Sequence, residues 1–214
     1  MTPMESALSL AKQSLGSVSP NPSVGAVIVK NGKVIGKGWT QTPGASHAEI
    51  MALAEAGQNA EGSTLYTTLE PCAHYGRTPA CTESIIDAGI IEVHSAMADP
   101  NPLVAGKSHT ILKNAGINSV VGEHQQQARK LVEAYTKFIT TGIPFVTAKY
   151  AMSLDGKIAT SAGESRWITG PSARKYAHEL RKHSDAIMVG IGTVLSDNPK
   201  LTVRDDIEKP ISKQ

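Results

Sequence analysis

The feature that most constrains this fold is a set of three residues with metal-binding side chains. His47 precedes Ala48 and Glu49, and Cys72 and Cys81 bound a stretch farther along the chain. One imidazole and two thiolates can hold a tetrahedral zinc ion and leave its fourth position open to water, as in catalytic zinc sites. Because these residues are well separated in sequence, the fold must bring them to one point. We therefore expect His47, Cys72 and Cys81 to be zinc ligands.

Glu49 lies close after the histidine and is not needed as a ligand. A histidine-x-glutamate sequence followed by proline-cysteine is typical of zinc-dependent base deaminases, in which the glutamate is the general acid and base. Zinc lowers the pKa of a water ligand to roughly 7, so a nucleophile is available at neutral pH. Glu49 is the predicted catalytic residue, and the motif predicts hydrolytic removal of an exocyclic amine from a pyrimidine ring.

Two other interpretations of these residues are open. A structural zinc usually has four protein ligands, whereas this motif supplies three unless His74 joins, and Glu49 would then have no function. A single histidine or cysteine is more often a packing residue than a ligand. The joint arrangement favours zinc, because the histidine opens a predicted helix, one cysteine follows a strand and the other opens a second helix.

The composition argues against some classes of partner. The chain has 214 residues, a net charge of +2 and 40% hydrophobic residues. This mild charge gives no support for a nucleic-acid or membrane-binding surface. No apolar run approaches the roughly 18 residues of a membrane span, and no secretory signal pattern opens the chain. Since two cysteines cannot form a disulfide framework, we expect a cytoplasmic protein.

Alternating helices and strands predict an α/β protein. Asn31-Gly32 between two β-rich runs predicts a hairpin, because both positions tolerate positive φ. Apolar periodicity predicts helices at 4–15, 47–56, 82–88, 110–115, 126–140 and 172–182, and strands at 24–29, 33–39, 64–69, 91–96, 118–121, 145–151 and 186–189. This order indicates a three-layer α/β domain at the start of the chain.

The stretch 141–144, Thr-Gly-Ile-Pro, is the predicted domain boundary. We expect a zinc-dependent pyrimidine deaminase domain over residues 1–142 and an incomplete second domain over residues 143–214. A segment of about 70 residues with two or three strands rarely holds a self-sufficient core. The last residues, 205–214, are charged and poor in apolar side chains, which predicts a frayed tail.

Three motifs carry a resemblance to a known family. Eight residues separate Cys72 from Cys81, where the common deaminase motif has two, and residues 74–79 read His-Tyr-Gly-Arg-Thr-Pro. Together with 21–25 (Asn-Pro-Ser-Val-Gly) and 99–107 (Asp-Pro-Asn-Pro-Leu-Val-Ala-Gly-Lys), this loop resembles the bifunctional riboflavin-biosynthesis deaminase/reductase family. The resemblance implies a cytidine-deaminase-like domain with a mixed sheet, followed by a partial dihydrofolate-reductase-like domain.

The resemblance implies a phosphorylated pyrimidine as substrate. This is 2,5-diamino-6-ribosylamino-4(3H)-pyrimidinone 5′-phosphate, which loses its ring 2-amino group as ammonia. The substrate-binding residues implied in the first domain are Asn21, His74, Arg77, Asp99 and Asn101. Arg77 is the natural phosphate partner, because guanidinium offers a planar fork to phosphate oxygens. Asparagine is also ordinary in turns, and an arginine in a loop is often a solvated charge.

The chain departs from the family pattern at three positions. Thr40 stands where the family often has histidine, Ala80 where proline is usual and Ser108 where glycine is usual. The first departure weakens any substrate contact assigned to that position. The other two are expected to have no chemical consequence.

Residues 151–157, 163–169 and 189–199 resemble the opening motifs of the family's reductase domain, which uses NADPH. The resemblance implies that the cofactor-binding residues are Ala151, Trp167, Thr193 and Asp197, and that the substrate-binding residues are Ser165, Arg181, Leu201 and Arg204. The family's later glycine-rich nucleotide loop is not in this sequence, so we expect an incomplete NADPH site. Whether this chain reduces a substrate by itself is an open question.

Three functions stay open on sequence alone. The first is the riboflavin-pathway deaminase, and the second is a cytidine or tRNA-type deaminase, which the inserted cysteine loop and the mild charge disfavour. The third is a non-catalytic module stabilised by zinc. An incomplete sheet would expose an unpaired strand edge, so we also expect a homo-oligomer.

Overall fold

The computed structural model describes residues 1–73, 79–102, 104–205 and 208–211, without the side chains of 205 and 208–211. Contacts between residues divide the chain into two units. The first unit is Met1–Phe145 and the second unit is Val146–Gln214. The two units differ in their secondary structure and in how far their side chains are buried.

The first unit alternates helices with strands, as the hydrophobic pattern predicts. Its helices are α1 (Pro3–Ala11), α2 (Ala48–Ala56), α3 (Cys81–Asp87), α4 (Lys107–Asn114), α5 (Gln125–Leu131) and α6 (Glu133–Thr141). Its strands are β1 (Gly25–Lys30), β2 (Lys33–Trp39), β3 (Thr64–Thr67), β4 (Glu92–Ser95) and β5 (Asn118–Val121). Short 3-10 turns follow α1 at Lys12–Ser14 and α2 at Gly57–Ala60.

The strands of the first unit form one mixed sheet in the order β2-β1-β3-β4-β5. β1 pairs antiparallel with β2 and β3, whereas β3, β4 and β5 are parallel. Parallel strands direct their carboxyl ends to the same edge of a sheet, which is where α/β proteins bind ligands. The segments after β3 and β4, which contain Cys72 and Asp99, begin at this edge.

Helices cover both faces of this sheet. A Cβ atom on Gly25 would lie 2.0 Å from the Ala7 oxygen of α1. A Cβ atom on Gly38, which pairs with Ala26, would lie 2.1 Å from the Ala48 oxygen of α2. Adjacent strand residues point to opposite faces, so α1 and α2 lie on opposite sides of the sheet. α2 contacts α3, and α3 contacts α4, so these helices share a layer. The predicted three-layer arrangement is confirmed.

Local sequence signals account for two of these elements. The Thr2 hydroxyl accepts the Glu5 amide at 3.1 Å, and the Thr2 amide donates to Glu5 Oε2 at 2.7 Å. This reciprocal pair is a capping box that starts α1. Asn31 and Gly32 have φ angles of 51° and 72°, as a two-residue hairpin loop between β1 and β2 requires. The predicted hairpin is confirmed.

The core of the first unit is aliphatic. Its largest fully buried apolar side chains are Met4, Ile28, Leu65, Ile85 and Leu112. Each such burial contributes about 1.5–3 kcal/mol relative to exposure. These residues come from the sheet and from helices on both of its faces, so the core fixes the strand ends on which the functional site is built.

The helix predicted at 126–140 is two helices, so the prediction of a single helix is wrong. Val132, between α5 and α6, has φ −110° and ψ 22°, which interrupts the helical path. Its side chain is 4% exposed and packs in the core of the first unit. Burial of this β-branched side chain takes precedence over continuation of the helix.

The second unit has little regular structure. Its elements are α7 (Pro171–Lys182), α8 (Ile191–Asp197) and an antiparallel pair, β6 (Val203–Asp205) and β7 (Glu208–Ile211). The predicted strands at 145–151 and 186–189 are wrong, because within the described residues neither segment pairs with a neighbouring strand. The frayed tail predicted at 205–214 is wrong in that part of it forms β7.

Burial also separates the two units. Among the described residues of the second unit Val203 alone is buried, whereas Leu154, Met188 and Leu195 are almost fully exposed. The second unit therefore has no apolar core of its own in its described part. Across the described part of the whole chain, no helix has the length and apolarity that a membrane-spanning segment requires.

Candidate metal centre and active site

Three metal-binding side chains converge beyond the carboxyl end of β3. His47 Nδ1 lies 3.2 Å from Cys81 Sγ and 3.5 Å from Cys72 Sγ. All three donor atoms lie within 4.8 Å of one another. His47 is the N-cap of α2 and Cys81 is the first residue of α3, while Cys72 follows β3. The starts of the two helices and the end of the strand lie together, as the motif predicted.

The donor atoms fit a zinc ion in chemistry and in spacing. Zinc binds imidazole nitrogen and thiolate sulfur with bonds of about 2.0–2.3 Å, so the ligands of a tetrahedral ion lie about 3.3–3.8 Å apart. The separations of 3.2 and 3.5 Å are close to that range, and both cysteines are free thiols. Within the described residues no fourth histidine, cysteine or acid joins the cluster. His74, which a structural zinc would need, lies outside the described residues.

Hydrogen bonds within the cluster favour loss of a thiol proton. The Cys81 thiol and the His47 ring hydrogen-bond to Cys72 Sγ, and the Cys81 amide donates to the same sulfur at 3.3 Å. These contacts lower the pKa of the Cys72 thiol to about 4, against the effect of burial. The pKa of the Cys81 thiol is raised, because it donates to Cys72 and because it is buried. The first proton therefore leaves Cys72, and a metal held by these residues would favour loss of the second.

Glu49 is buried directly beside the cluster. Glu49 is only 4% exposed, Thr67 Oγ1 donates to its Oε1 at 3.4 Å, and Cys81 Sγ lies 3.7 Å from its Oε2. Burial first, and then the charge of Cys72, raise the pKa of Glu49 to about 7. A nearby divalent cation acts in the opposite direction on this pKa. Burial without a metal favours the protonated form, so this carboxyl group can donate as well as accept a proton.

His47, Cys72 and Glu49 form one wall of a cleft in the first unit, with a volume of about 580 Å³. Ligand pockets of about 300–1,000 Å³ hold small molecules. The other walls come from residues within 20–24, 40–45, 69–72, 99–104 and 135–139. The cleft therefore lies at the carboxyl edge of the parallel strands, where the topology predicts a ligand.

Three of the five substrate-binding residues predicted for the first unit line this cleft. They are Asn21, Asp99 and Asn101. His74 and Arg77 lie outside the described residues. Asp99 is 9% exposed, and its Oδ1 accepts the Asn101 amide at 2.8 Å. This contact closes the turn that presents both side chains to the cleft.

Sequence interpretation missed the role of two polar residues in the cleft. The hydroxyl of Tyr135, on α6, donates to Asp99 Oδ1 at 3.2 Å. Burial, and then the charge of Asp99 and this hydrogen bond, raise the pKa of Tyr135, so it stays a donor. The Thr40 hydroxyl accepts the Val24 amide at 3.0 Å and donates to the Pro22 oxygen at 3.1 Å. Thr40 thus supports the cleft wall through the backbone, a contact that no sequence pattern indicates.

The structure brings only some of the predicted residues of the second unit together. Arg181 and Arg204 are neighbours: burial, and then the charge of Arg204, lower the pKa of Arg181. Arg181 Nη1 donates to the Thr202 oxygen at 2.7 Å. Trp167 is exposed, with the Arg174 guanidinium 4.2 Å from its ring centroid. The remaining residues are Ser165, Thr193 and Asp197, which are exposed, and Ala151 and Leu201, which are half-buried.

Comparison with known proteins finds a different family in each part of the chain. Residues 2–97 match the family of the cytidine and deoxycytidylate deaminase zinc-binding region. Residues 144–213 match the family of the RibD C-terminal domain. The predicted fold class, a zinc-binding deaminase domain followed by part of a reductase domain, is confirmed, and so is zinc as the metal of the first unit.

Individual relatives cover nearly all of this chain. The riboflavin biosynthesis protein RibD of Aquifex aeolicus is 52% identical over 94% of this chain and 56% of its own length. A solved structure of Acinetobacter baumannii RibD is 48% identical over 95% of this chain and 57% of that one, with a TM-score of 0.88. The diaminohydroxyphosphoribosylaminopyrimidine deaminase/5-amino-6-(5-phosphoribosylamino)uracil reductase of Thermotoga maritima is 44% identical over 97% of this chain and 60% of that one, with a TM-score of 0.91. The chain thus spans a little over half the length of these relatives.

Proposed function

Because this chain is related along nearly all of its length to the RibD proteins of riboflavin biosynthesis, of which it spans about half, we propose that it catalyses their deamination step. The substrate is 2,5-diamino-6-ribosylamino-4(3H)-pyrimidinone 5′-phosphate, and the products are 5-amino-6-(5-phosphoribosylamino)uracil and ammonia. We assign this activity to residues 1–142. The observation that carries the proposal is the burial of Glu49 beside three zinc-type donor atoms, with Glu49, His47 and Cys72 lining one cleft.

The residues of the cleft have different roles in this hydrolysis. A zinc ion held by His47, Cys72 and Cys81 supplies a Lewis acid that makes water nucleophilic at neutral pH. Glu49 accepts a proton as the water oxygen adds to the ring carbon that bears the amine, and donates it to the adjacent ring nitrogen. Glu49 then accepts the remaining proton of the added oxygen and donates it to the amine as the carbon–nitrogen bond breaks. A carbonyl and ammonia result, and one carboxyl serves because each transfer reverses its protonation state.

We assign substrate recognition to the polar residues around Glu49. Asn21, Asp99 and Asn101 line the same cleft as Glu49, which supports a role in orienting the ribosyl pyrimidine. His74 and Arg77 complete the proposed set on the strength of the resemblance alone. The guanidinium of Arg77 is the proposed partner of the phosphate, since it can bind two phosphate oxygens at once.

Ammonia release from three substrates tests the proposed function. Zinc-loaded protein is supplied in parallel with the diaminopyrimidine phosphate, cytidine and tRNA. We expect release from the first substrate alone. Release from cytidine or tRNA instead would favour a deaminase of that type. Protein that holds stoichiometric zinc and releases ammonia from none of the three would be a non-catalytic module.

For the second unit we propose part of an NADPH-dependent reductase domain over residues 143–214. The match to the RibD C-terminal domain supports this assignment. The proposed nucleotide-binding residues are Ala151, Trp167, Thr193 and Asp197, and the proposed substrate-binding residues are Ser165, Arg181, Leu201 and Arg204. Titration with NADPH, followed by nicotinamide fluorescence, tests the nucleotide site, and a Trp167→Ala variant should weaken any binding that is seen.

We further propose that the protein is a cytoplasmic homo-oligomer. Two free thiols that serve as metal ligands support a reducing compartment. The exposed apolar side chains of the second unit, such as Leu154 and Met188, support self-association. Light scattering after size-exclusion chromatography tests the oligomeric state, and a strictly monomeric protein would contradict it.

A further inference from the structure

Glu70 is a buried carboxylate that the proposed chemistry does not use. It lies between β3 and the ligand Cys72, and the residue is 3% exposed. Burial of a carboxylate is costly unless its oxygens are hydrogen-bonded. Within the described residues no lysine or arginine lies within ion-pair distance of it. Hydrogen bonds from nearby residues of the same chain must therefore offset the cost of burying this carboxylate.

Among the described residues, four donors converge on this carboxylate, and all belong to one segment. Oε2 accepts the Asp99 amide at 3.0 Å and the Gly106 amide at 2.9 Å. Oε1 accepts the Ser108 amide at 3.1 Å and the Ser108 hydroxyl at 2.6 Å. A carboxylate offers about four acceptor positions on its two oxygens. These contacts use all of them, so no capacity is left for a substrate or a metal.

The contacts join the two ends of the loop that carries Asp99 and Asn101. The Asp99 amide lies at the start of the loop, and Gly106 and Ser108 lie at its end, where α4 begins. Gly106, the N-cap of α4, has no side chain to cap the helix, and the first turn of α4 holds no acid. Glu70 supplies both the missing cap and a negative charge at this helix start.

We infer that Glu70 is a positioning residue, which holds the loop at 99–106 so that Asp99 and Asn101 face the substrate cleft. This inference rests on the proposed function, because it is the proposed substrate that Asp99 and Asn101 bind. Glu70 acts through the loop and does not touch the reacting atoms. The same short segment thus carries a zinc ligand, Cys72, and the residue that fixes the wall on which the substrate lies.

A Glu70→Gln substitution tests this role with little change in shape. The amide nitrogen of glutamine has no acceptor capacity. If it replaces Oε2, the Asp99 and Gly106 amides lose their acceptor; if it replaces Oε1, the Ser108 amide does. In either orientation at least one buried amide of the loop is left without a partner. Glu55→Gln is the matched control, because exposed Glu55 also accepts a backbone amide, that of Lys37 at 2.8 Å, away from the cleft.

The first measurement is amide hydrogen exchange, which does not depend on activity. Peptides that cover 99–108 should exchange about tenfold faster or more in Glu70→Gln than in the unchanged protein. Peptides that cover β3 should not change, and Glu55→Gln should show neither effect. Unchanged exchange at 99–108 would overturn the inference.

The second measurement separates KM from kcat for the diaminopyrimidine phosphate, with zinc content determined for each variant. We expect a KM raised about tenfold or more, a kcat within about threefold and one zinc per chain. A lower kcat with unchanged KM, or loss of zinc, would overturn the inference, because the damage would then lie at Cys72. If the unchanged protein releases no ammonia, the proposed function fails and the exchange data alone decide the role of Glu70.

Ser108→Ala keeps the inference testable if Glu70→Gln does not fold. It removes only the hydroxyl donor at 2.6 Å, a contact that the sequence expectation of no chemical consequence for Ser108 missed, and leaves the three backbone amides in place. Exchange at 99–108 and KM should both rise by about threefold, with kcat and zinc content unchanged. If neither exchange nor KM changes in this variant, Glu70 does not hold the loop.

Discussion

Both units of this chain contain segments with strand-like sequences, but these segments differ in pairing and in burial. In the first unit β3 pairs on both sides, and Leu65 within it is fully buried. In the second unit Val146 and Met188 lie in segments just as rich in β-forming residues, yet they are 72% and 91% exposed. A strand is stabilised by its partner strands and by the layer that covers it, more than by intrinsic preference. The difference shows that strand propensity alone does not form a strand, which also needs contacts with neighbouring elements.

The same contrast applies to the predicted functional residues. In the first unit Glu49 and Asp99 are held by hydrogen bonds from other elements, so their side chains have fixed positions. In the second unit Thr193 and Asp197 are exposed. Preorganised polar groups are what stabilise a transition state. We therefore expect chemistry in the first unit, and the predictions below test that expectation from the largest effect to the smallest.

Replacement of the buried acid should give the largest effect. Glu49→Gln keeps the size of the side chain but removes proton transfer, which contributes roughly 10²–10⁴-fold to such reactions. We expect ammonia release to fall by about a thousandfold while zinc content, measured by atomic emission, stays at one per chain. Glu55→Gln, on the exposed face of the same helix, should retain full activity. Ammonia release that persists in a zinc-loaded Glu49→Gln protein would remove Glu49 from the mechanism.

Removal of the metal should destabilise one unit only. A ligand present at a thousand times its Kd stabilises the folded state by about 4 kcal/mol. A chelator should therefore lower the unfolding temperature of the first unit by about 10 °C. Hydrogen exchange on heating, followed for peptides of each unit, should show no change at 171–182. Cys81→Ser, which lacks one proposed ligand, should respond little to the chelator. An equal response in both units would contradict the expected difference between them.

Sequence reasoning succeeded where chemistry restricts the choice of residue. Few residue types bind zinc, so the meeting of His47, Cys72 and Cys81 followed from their types and from the helix and strand ends that carry them. Local turn chemistry likewise gave the hairpin at Asn31-Gly32, since few residues adopt positive φ. These signals are contained in short stretches of sequence, which is why they can be read without a structure.

The failures share a different cause. Tyr135 and Glu70 take part in the cleft only because distant elements bring them to the loop at 99–106. A tyrosine in an amphipathic helix and a glutamate before a proline look ordinary in sequence. The break at Val132 between α5 and α6 depends on neighbours that no local pattern specifies. So does the segment at 186–189, which pairs with no strand in the described part of the chain.

One leucine-to-alanine substitution in each unit measures how much the burial of these side chains contributes to stability. Leu65 is 0% exposed in β3, and Leu154 in the second unit is fully exposed. Leu65→Ala should cost about 3 kcal/mol of unfolding free energy, because it leaves a cavity in a packed core. Leu154→Ala should change it by no more than about 0.5 kcal/mol. Urea unfolding of the two variants gives both values, and comparable losses would show that the second unit has a core in solution.

The variant with the smallest expected effect tests whether α6 contributes to the site of the first unit. Like α7 and α8, helix α6 has no fully buried residue. Its Tyr135 hydroxyl nevertheless donates to Asp99 at 3.2 Å. Tyr135→Phe removes that hydroxyl and about 1 kcal/mol of hydrogen bonding. The KM for the diaminopyrimidine phosphate should rise about fivefold, with kcat and zinc content unchanged. Tyr150→Phe, in an exposed position of the second unit, is the matched control and should change nothing. If Tyr135→Phe leaves KM unaltered, α6 borders the cleft without contributing to it, and the functional part of the first unit ends before this helix.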